Sequence, residues 1–581
     1  MSSPAPTKGS WFSRSRSAST LPSASNSTTS LSKQLEETTL NDEVGGGEDQ
    51  AGDLGEELQG DTESESGKFK ALLGILRKTI SVKDLTSVRI SLPASMMEPI
   101  GNLEHWTYAD RPDYFAAIGT DDDELERFLS VLRWLFTKEL KFAKHPIAKP
   151  FNSILGEHFH CYYDTPVLSL HPKTKQPLPS IHLDEAPNPE VLASAGRGSF
   201  SNITAAAALK ASPSITSISS VSSSPSKPSA AAKPEPVASS ASSVASGRSV
   251  ASAKSCATAP TDGGTARVVI VNEQTSHHPP ISHFRIEART EDKDEKKRTV
   301  VCRGVDQLSA KFTGANVKVM PGAHNHGLFV ELPERKEEYQ ITHPTAAVAG
   351  LLRAAPYATI CDSTCVTVRS NDPEERKKEI ASGKKSLRAI IAYTEESWIT
   401  KPRFIVEGVV YWSTPNEAAS ATEAAEGEDK RYTRIKQVPA DKVVGKLEGN
   451  WRGEVKWKKA GESQFNTLVD LVPLSVAPKS VAPLSSQDPL ETRKVWSPVI
   501  DALLKKDYST ASKEKLRIEQ EQRDKAEERK KKGEGYRPVY FEPEPEDVKE
   551  WDGRPVLTEE GRKALERDFK ADYSGVPAVS Q

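Results

Sequence analysis

Sulfur is scarce in this chain of 581 residues, which holds five cysteines and four methionines. The cysteines (Cys161, Cys256, Cys302, Cys361, Cys365) are scattered, odd in number and without a Cys-x2-Cys pair. That excludes a disulfide framework or a zinc ribbon and leads us to expect reduced thiols in an intracellular protein. Hydrophobic residues make up 36% of the chain, below the usual share for globular domains, so part of it must stay out of any core. Charge of one sign is lacking too: 78 Lys and Arg against 81 Asp and Glu leave a net charge of -3. No global field therefore draws in nucleic acid, and basic groups can act only in patches. No apolar run approaches the length of a membrane span, and the first twenty residues lack the apolar centre of a signal peptide. A soluble chain with at most peripheral membrane contact is expected. No GxxxxGK[ST] phosphate loop occurs, and Arg369 follows Cys365 too closely for a Cys-x5-Arg loop. Neither an enzyme nor a bound cofactor is expected.

Against these absences stands one dense stretch, Val271–Pro280 (VNEQTSHHPP). It lies between two β-rich pieces, Ala266–Val271 and Ile281–Ile286. Pro279 pushes His278 into extended geometry, and neither proline can donate to a ladder, so the stretch reads as a turn holding two imidazoles near each other. Imidazole N–H groups suit an anionic oxygen such as a phosphate. A polar turn whose histidines cap backbone carbonyls is the alternative.

Residues 1–66 are rich in Ser, Thr, Gly and acidic residues and cannot offset their ordering entropy, so a disordered tail is expected. In Lys68–Ser81, Phe69, Leu72, Leu73, Leu76 and Ile80 share one helical face with basic residues mostly on the others. This is either a docked amphipathic helix or a lid that meets anionic lipid when open. Asp122–Phe142 reads as a helix opened by acidic residues. Lys149–Glu157 (KPFNSILGE) is a Pro-punctuated turn that can aim Lys149. His158 and His160 share a strand face; no third ligand stands at a telling spacing, so no metal site is expected. Residues 186–263 are low-complexity Ser/Ala/Pro/Lys and read as a disordered insertion, and 414–429 as a flexible loop. From Thr299 to Lys458, short β-rich runs with turn punctuation predict a large antiparallel sheet. A C-terminal helix is expected over Ser509–Lys532. There Lys515, Glu519 and Arg523 fall on one stripe, by default a solvated, ion-paired face. The charged remainder to Gln581 is expected to pack loosely or fray.

EQTSHHPP resembles the EQVSHHPP fingerprint of the oxysterol-binding protein family, with Thr275 for valine. KPFNSILGE resembles its KPxNPxLGE motif, with Ser153 for proline, and Lys515-x3-Glu519-x3-Arg523 its C-terminal stripe. The resemblance runs from about Lys68 to Phe541 and is that of a short, ligand-binding-domain-only member, here residues 67–581. It implies an α+β fold dominated by β: an incomplete antiparallel β-barrel around a hydrophobic tunnel, with an N-terminal lid helix and a C-terminal helical region. It implies a monomeric carrier of one lipid at a time, moving sterol between membranes in exchange for phosphatidylinositol 4-phosphate. The phosphoinositide headgroup site it implies comprises Lys149, Asn152, His277, His278, Lys515, Glu519 and Arg523, with the lid at Phe69, Leu72, Leu73, Leu76 and Ile80. It implies a cytoplasmic location, peripheral on endoplasmic reticulum, Golgi or plasma membrane. A phosphatidylserine carrier, or a phosphoinositide-binding sensor or scaffold, are the alternatives.

Overall fold

The computed structural model describes residues 74, 97–145, 147, 149–183, 264–291, 297–314, 316–351, 356–397, 400–414 and 432–573. The tail, the lid residues Phe69, Leu72, Leu73, Leu76 and Ile80, the insertion 186–263 and nearly all of the loop 414–429 lie outside them. All described residues belong to one unit, 53–581.

The strands are β1 (His158–Pro166), β2 (Ser169–Leu170), β3 (Pro177–Leu178), β4 (Thr265–His277), β5 (Pro280–Glu291) and β6 (Lys297–Asp306). Then come β7 (Leu308–Phe312), β8 (Val317–Pro321), β9 (Leu328–Leu332), β10 (Glu337–Ile341), β11 (Thr345–Ala349) and β12 (Tyr357–Cys361). Last are β13 (Ser363–Ser370), β14 (Ser386–Tyr393), β15 (Ile405–Ser413), β16 (Val443–Asn450), β17 (Glu454–Lys459) and β18 (Asn466–Asp470). Twelve of them form one sheet in the order β1-β4-β5-β6-β9-β10-β13-β14-β15-β16-β17-β18, and β12-β11-β8-β7 form a small second sheet. The run Gly445–Trp457 is not one strand but a hairpin, because Trp451, Arg452 and Gly453 turn between β16 and β17.

The large sheet does not close, since β1 and β18 end its order. The chain after β18 returns instead to the free edge of β1. Tyr162 and Ser480 exchange both backbone hydrogen bonds there, at 3.0 and 2.9 Å. The exposed edge is thereby covered and the barrel stays incomplete. A large antiparallel sheet with helices at its margins is what the β-rich runs predicted.

β4 explains why its sequence is nearly all apolar. Ala266, Val268 and Ile270 join the main core, while Val269 and Val271 join a second cluster with Tyr162, Phe541, Leu557 and Leu565. A strand covered on both faces needs no polar alternation. The cover is the C-terminal segment with its helix α8 (Glu559–Lys570). The expectation that this remainder packs loosely is corrected. Arg289 forks to Glu566 and lies 3.8 Å from the Phe569 ring centroid, and Arg267 donates to the carbonyls of Phe569 and Ala571. Glu544 joins His283 at 2.7 Å and His324 at 2.5 Å. The charges that suggested fraying are the groups that bind the segment to arginines and histidines of the sheet.

The other helices are α1 (Asn102–His105), α2 (Pro112–Ala116), α3 (Glu124–Thr137), α4 (Lys141–Lys144), α5 (Pro373–Ser382), α6 (Thr492–Leu504) and α7 (Tyr508–Lys532). Asp123 caps α3 by accepting from Glu126 N. The helix stops at Thr137 rather than Phe142. Beyond it Lys138 and Lys141 turn inward, where Glu139 pairs with Lys138 and Asp110 lies 3.5 Å from the Lys141 ammonium. Nearby, Trp106, Asn272, Ser282, Phe284 and Asp306 line a recess too narrow to hold a water molecule. Burial pushes the Asp306 carboxyl up to about 7, although it accepts a hydrogen bond from Tyr108 at 2.5 Å.

Candidate functional site

Antiparallel pairing sends β1 away from, and β4 towards, the same end of the sheet, so Lys149 and the β4–β5 turn share that end. The turn KPFNSILGE is held there from two sides. Phe151 N and O bond to Ile100 O and Asn102 N, both at 3.0 Å. The Phe151 ring stacks on Trp496 of α6 at 4.7 Å, and Ile154 packs with it against Val499, Ala511 and Ile518. Glu157, fully buried, accepts from Ile154 N, Thr492 Oγ1 and Trp496 Nε1 at 2.9, 2.9 and 3.1 Å. Burial pushes its carboxyl up to about 7, against those hydrogen bonds. Gly156 bonds to Gln274 O at 3.0 Å and has φ of 82°; a side chain there would meet the Tyr536 hydroxyl.

Lys149 emerges from this frame. Its ammonium donates to Asn152 Oδ1 at 2.8 Å and to Pro150 O at 2.9 Å. The residue is solvent-exposed, yet protein surrounds its charge closely enough that desolvation, then the Lys515 ammonium, lower its pKa to about 8. Lys515 comes from α7, which Asp507 caps at Thr510 N. Its side chain is nearly buried and meets Glu519 at 2.7 Å. Ile518, on the same helical face, ties that face to the turn.

His277 and His278 form the tight β4–β5 turn, exposed, with ring centroids 4.8 Å apart and edge to face. The His278–Pro279 peptide is cis. Glu273, just before them, is completely buried. Its carboxylate accepts from Tyr536 Oη, Val539 N, Tyr540 N and Phe541 N at 2.9, 2.7, 2.8 and 3.3 Å. This links the histidine turn to the segment that follows α7. Neither Glu273 nor Glu157 was singled out from sequence. For Glu273 the available signal was an acidic residue following an apolar, β-rich run, since a buried carboxylate demands several donors.

The structure thus brings Lys149 to Asn152, Lys515 to Glu519, and Lys149 within electrostatic reach of Lys515. His277 and His278 meet each other at the same end of the sheet. Arg523 stands apart: two turns further along α7, it is exposed and donates to Gln520 at 3.0 Å. His158 and His160 point to the opposite face of β1 from the core residue Phe159. Both rings lie edge-on to Tyr540 at 4.9 Å, and His160 Nδ1 is 3.0 Å from Asp568.

This open antiparallel sheet, with a basic turn, a histidine turn and a basic helix gathered at one end, has relatives. The family description "Oxysterol-binding protein" matches residues 71–174 and 257–560. The chain is 42% identical over 519 residues to oxysterol-binding protein-like protein 1 of Schizosaccharomyces pombe, covering 88% of this chain and 93% of that one. It is 24% identical to human oxysterol-binding protein-related protein 11, covering 90% of this chain and 53% of that one. The chain belongs to the oxysterol-binding protein family. Among solved structures, the Osh3 domain of Saccharomyces cerevisiae in complex with PI(4)P aligns at a TM-score of 0.47 and 16% identity, covering 87% of this chain and 95% of that one. The Osh1 domain in complex with cholesterol aligns at 0.46 and 15%, covering 88% and 100%.

Proposed function

We propose that this protein is a lipid carrier that holds one lipid within the open sheet and exchanges sterol for phosphatidylinositol 4-phosphate between membranes. The observation that carries this is the pairing of Lys149 with Lys515. Two cations are held near each other, one exposed and partly desolvated, the other answered by Glu519. Like charges so placed destabilise the empty protein and suit a phosphate monoester, whose dehydration needs several converging donors. Asn152, His277 and His278 would add neutral or cationic N–H donors. Arg523 would join only by swinging away from Gln520. In this reading the protein is a monomer that acts peripherally on cytoplasmic membrane faces.

A second reading is favoured by the interior. Asp306 and Asn272 lie beside Trp106, and the Lys138–Glu139 pair acts on Asp306, more polar groups than one sterol hydroxyl requires. A phosphatidylserine head would use more of them. The test is a liposome assay with purified protein. Donor vesicles carry labelled sterol or labelled phosphatidylserine, and acceptors contain or lack phosphatidylinositol 4-phosphate. Sterol transfer accelerated by the phosphoinositide is expected. Phosphatidylserine transfer alone would establish the second reading. Phosphoinositide extraction with neither lipid moved would overturn the carrier in favour of a sensor.

A further inference from the structure

Arg452 lies in the β16–β17 turn, half-buried among aromatic rings. Its Nη2 donates to Ala358 O at 2.7 Å. The guanidinium carbon lies 4.2 Å from the Phe404 ring centroid and 5.1 Å from that of Trp451. Phe404 meets Trp451 and Tyr357 edge-on, at 5.4 and 6.0 Å. Arg452 Nε is enclosed and has no hydrogen-bond partner among the described residues. Among the described residues, no carboxylate lies within ion-pair distance of the guanidinium. The acids on the neighbouring β14–β15 connection are committed elsewhere. Glu395 meets Lys318 at 3.4 Å, and Glu396 accepts from Arg403 N and Phe404 N at 2.8 and 2.5 Å. Phe404 itself is held at φ 53°, a costly conformation for an aromatic residue, and that conformation seats its ring beneath Arg452. Burial pulls the guanidinium down to about 10, against the opposing fields of Tyr357 and Glu396.

We propose that Arg452, within its frame of Phe404, Trp451 and Tyr357, is a second anion site, which takes the phosphate of a membrane phospholipid headgroup. A planar guanidinium with free N–H groups matches phosphate oxygens, and aromatic walls strengthen the bond by excluding water. The β4–β5, β14–β15 and β16–β17 connections all lie at one end of the sheet, so this site and the histidine turn look out the same way. Exposed Lys401 and Arg403 stand on the same connection as Phe404. Half-buried Phe404 and Tyr357 beside cations suit the boundary between headgroups and acyl chains better than free solution. A docked bilayer would thus be held at Arg452 while the Lys149 end accepts cargo. Only the choice of the end that meets the bilayer rests on the carrier reading.

The experiment is co-sedimentation with phosphatidylcholine vesicles, with or without phosphatidylserine and without any phosphoinositide. It compares the wild-type chain, Arg452→Gln and Arg452→Lys. Arg452→Gln can keep the bond to Ala358 O, so its thermal midpoint checks the fold. It is expected to bind phosphatidylserine vesicles about tenfold more weakly, with Arg452→Lys in between. Unchanged binding by Arg452→Gln overturns the site. An Arg452-dependent thermal shift with inorganic phosphate, without vesicle binding, overturns the lipid source. Failure of cargo exchange with intact Arg452-dependent binding would sink the carrier reading alone.

Discussion

His158 and His160 lie on β1; His277 and His278 end the adjacent strand, β4. The first pair is enclosed beneath Tyr540, and His160 is held by Asp568 of α8. The second pair is exposed at the turn. What differs is the cover. The C-terminal segment lies over the outer face of β1 and β4 and, through Glu273, is anchored just short of the histidine turn. Identical side chains thus become architecture where the segment covers them and remain available for a ligand where it ends.

The largest effect that would break this contrast falls on the covered pair. His160→Ala leaves Asp568 buried with only Arg567 beside it and should cost roughly 3–5 kcal/mol in urea unfolding. Phosphoinositide extraction per folded molecule should be unchanged. A fall in extraction without lost stability would place the covered pair in the site.

Glu157 gives the next effect. Its folded carboxyl titrates near 7 and its unfolded one near 4.5. The folded state therefore binds more protons between these values, and stability present below about 4.5 declines as pH rises through 7. A loss of about 2–4 kcal/mol is expected across that window in urea titrations. Glu157→Gln should flatten the curve; an unaltered slope would assign the pH dependence elsewhere.

Lys149 sharpens the ligand side. With a pKa near 8, it is charged below that value and loses its proton above it. Extraction of phosphatidylinositol 4-phosphate should weaken as pH passes 8, by up to about tenfold per unit. Lys149→Met should extract poorly and lose this pH step. A step that persists in Lys149→Met would belong to another group. Smallest of all should be the effect of deleting 186–263. We expect less than about 1 kcal/mol on stability and none on extraction, since loop length enters closure entropy only logarithmically. A deletion variant that does not fold would move the boundary of the insertion.

Much of this was legible in the sequence because the signals were local. The β-rich run Ser386–Tyr393, inside the stretch read as sheet, forms β14, and Asp507 with Gly533 bounds α7 almost where the stripe of Lys515 and Glu519 placed it. Proline chemistry foretold the histidine turn. What stayed hidden depended on distant partners. Nothing near Asp568 announces His160, 408 residues earlier in the chain. The inward turn of Lys138 and Lys141 depends on Glu139 and Asp110, and the hairpin at Trp451–Gly453 on the fit of Arg452 among rings from other strands. The site's residue types could be read; their shared end of the sheet follows from the register of β1 against β4.

The most direct measurement is extraction of labelled phosphatidylinositol 4-phosphate from liposomes by wild-type protein and by the His277→Ala/His278→Ala variant, with unfolding curves of both. Loss of two charge-assisted contacts predicts roughly a hundredfold weaker extraction, with stability within about 0.5 kcal/mol of wild type, as befits exposed positions. Equal extraction by the two proteins would contradict the headgroup site at this end of the sheet.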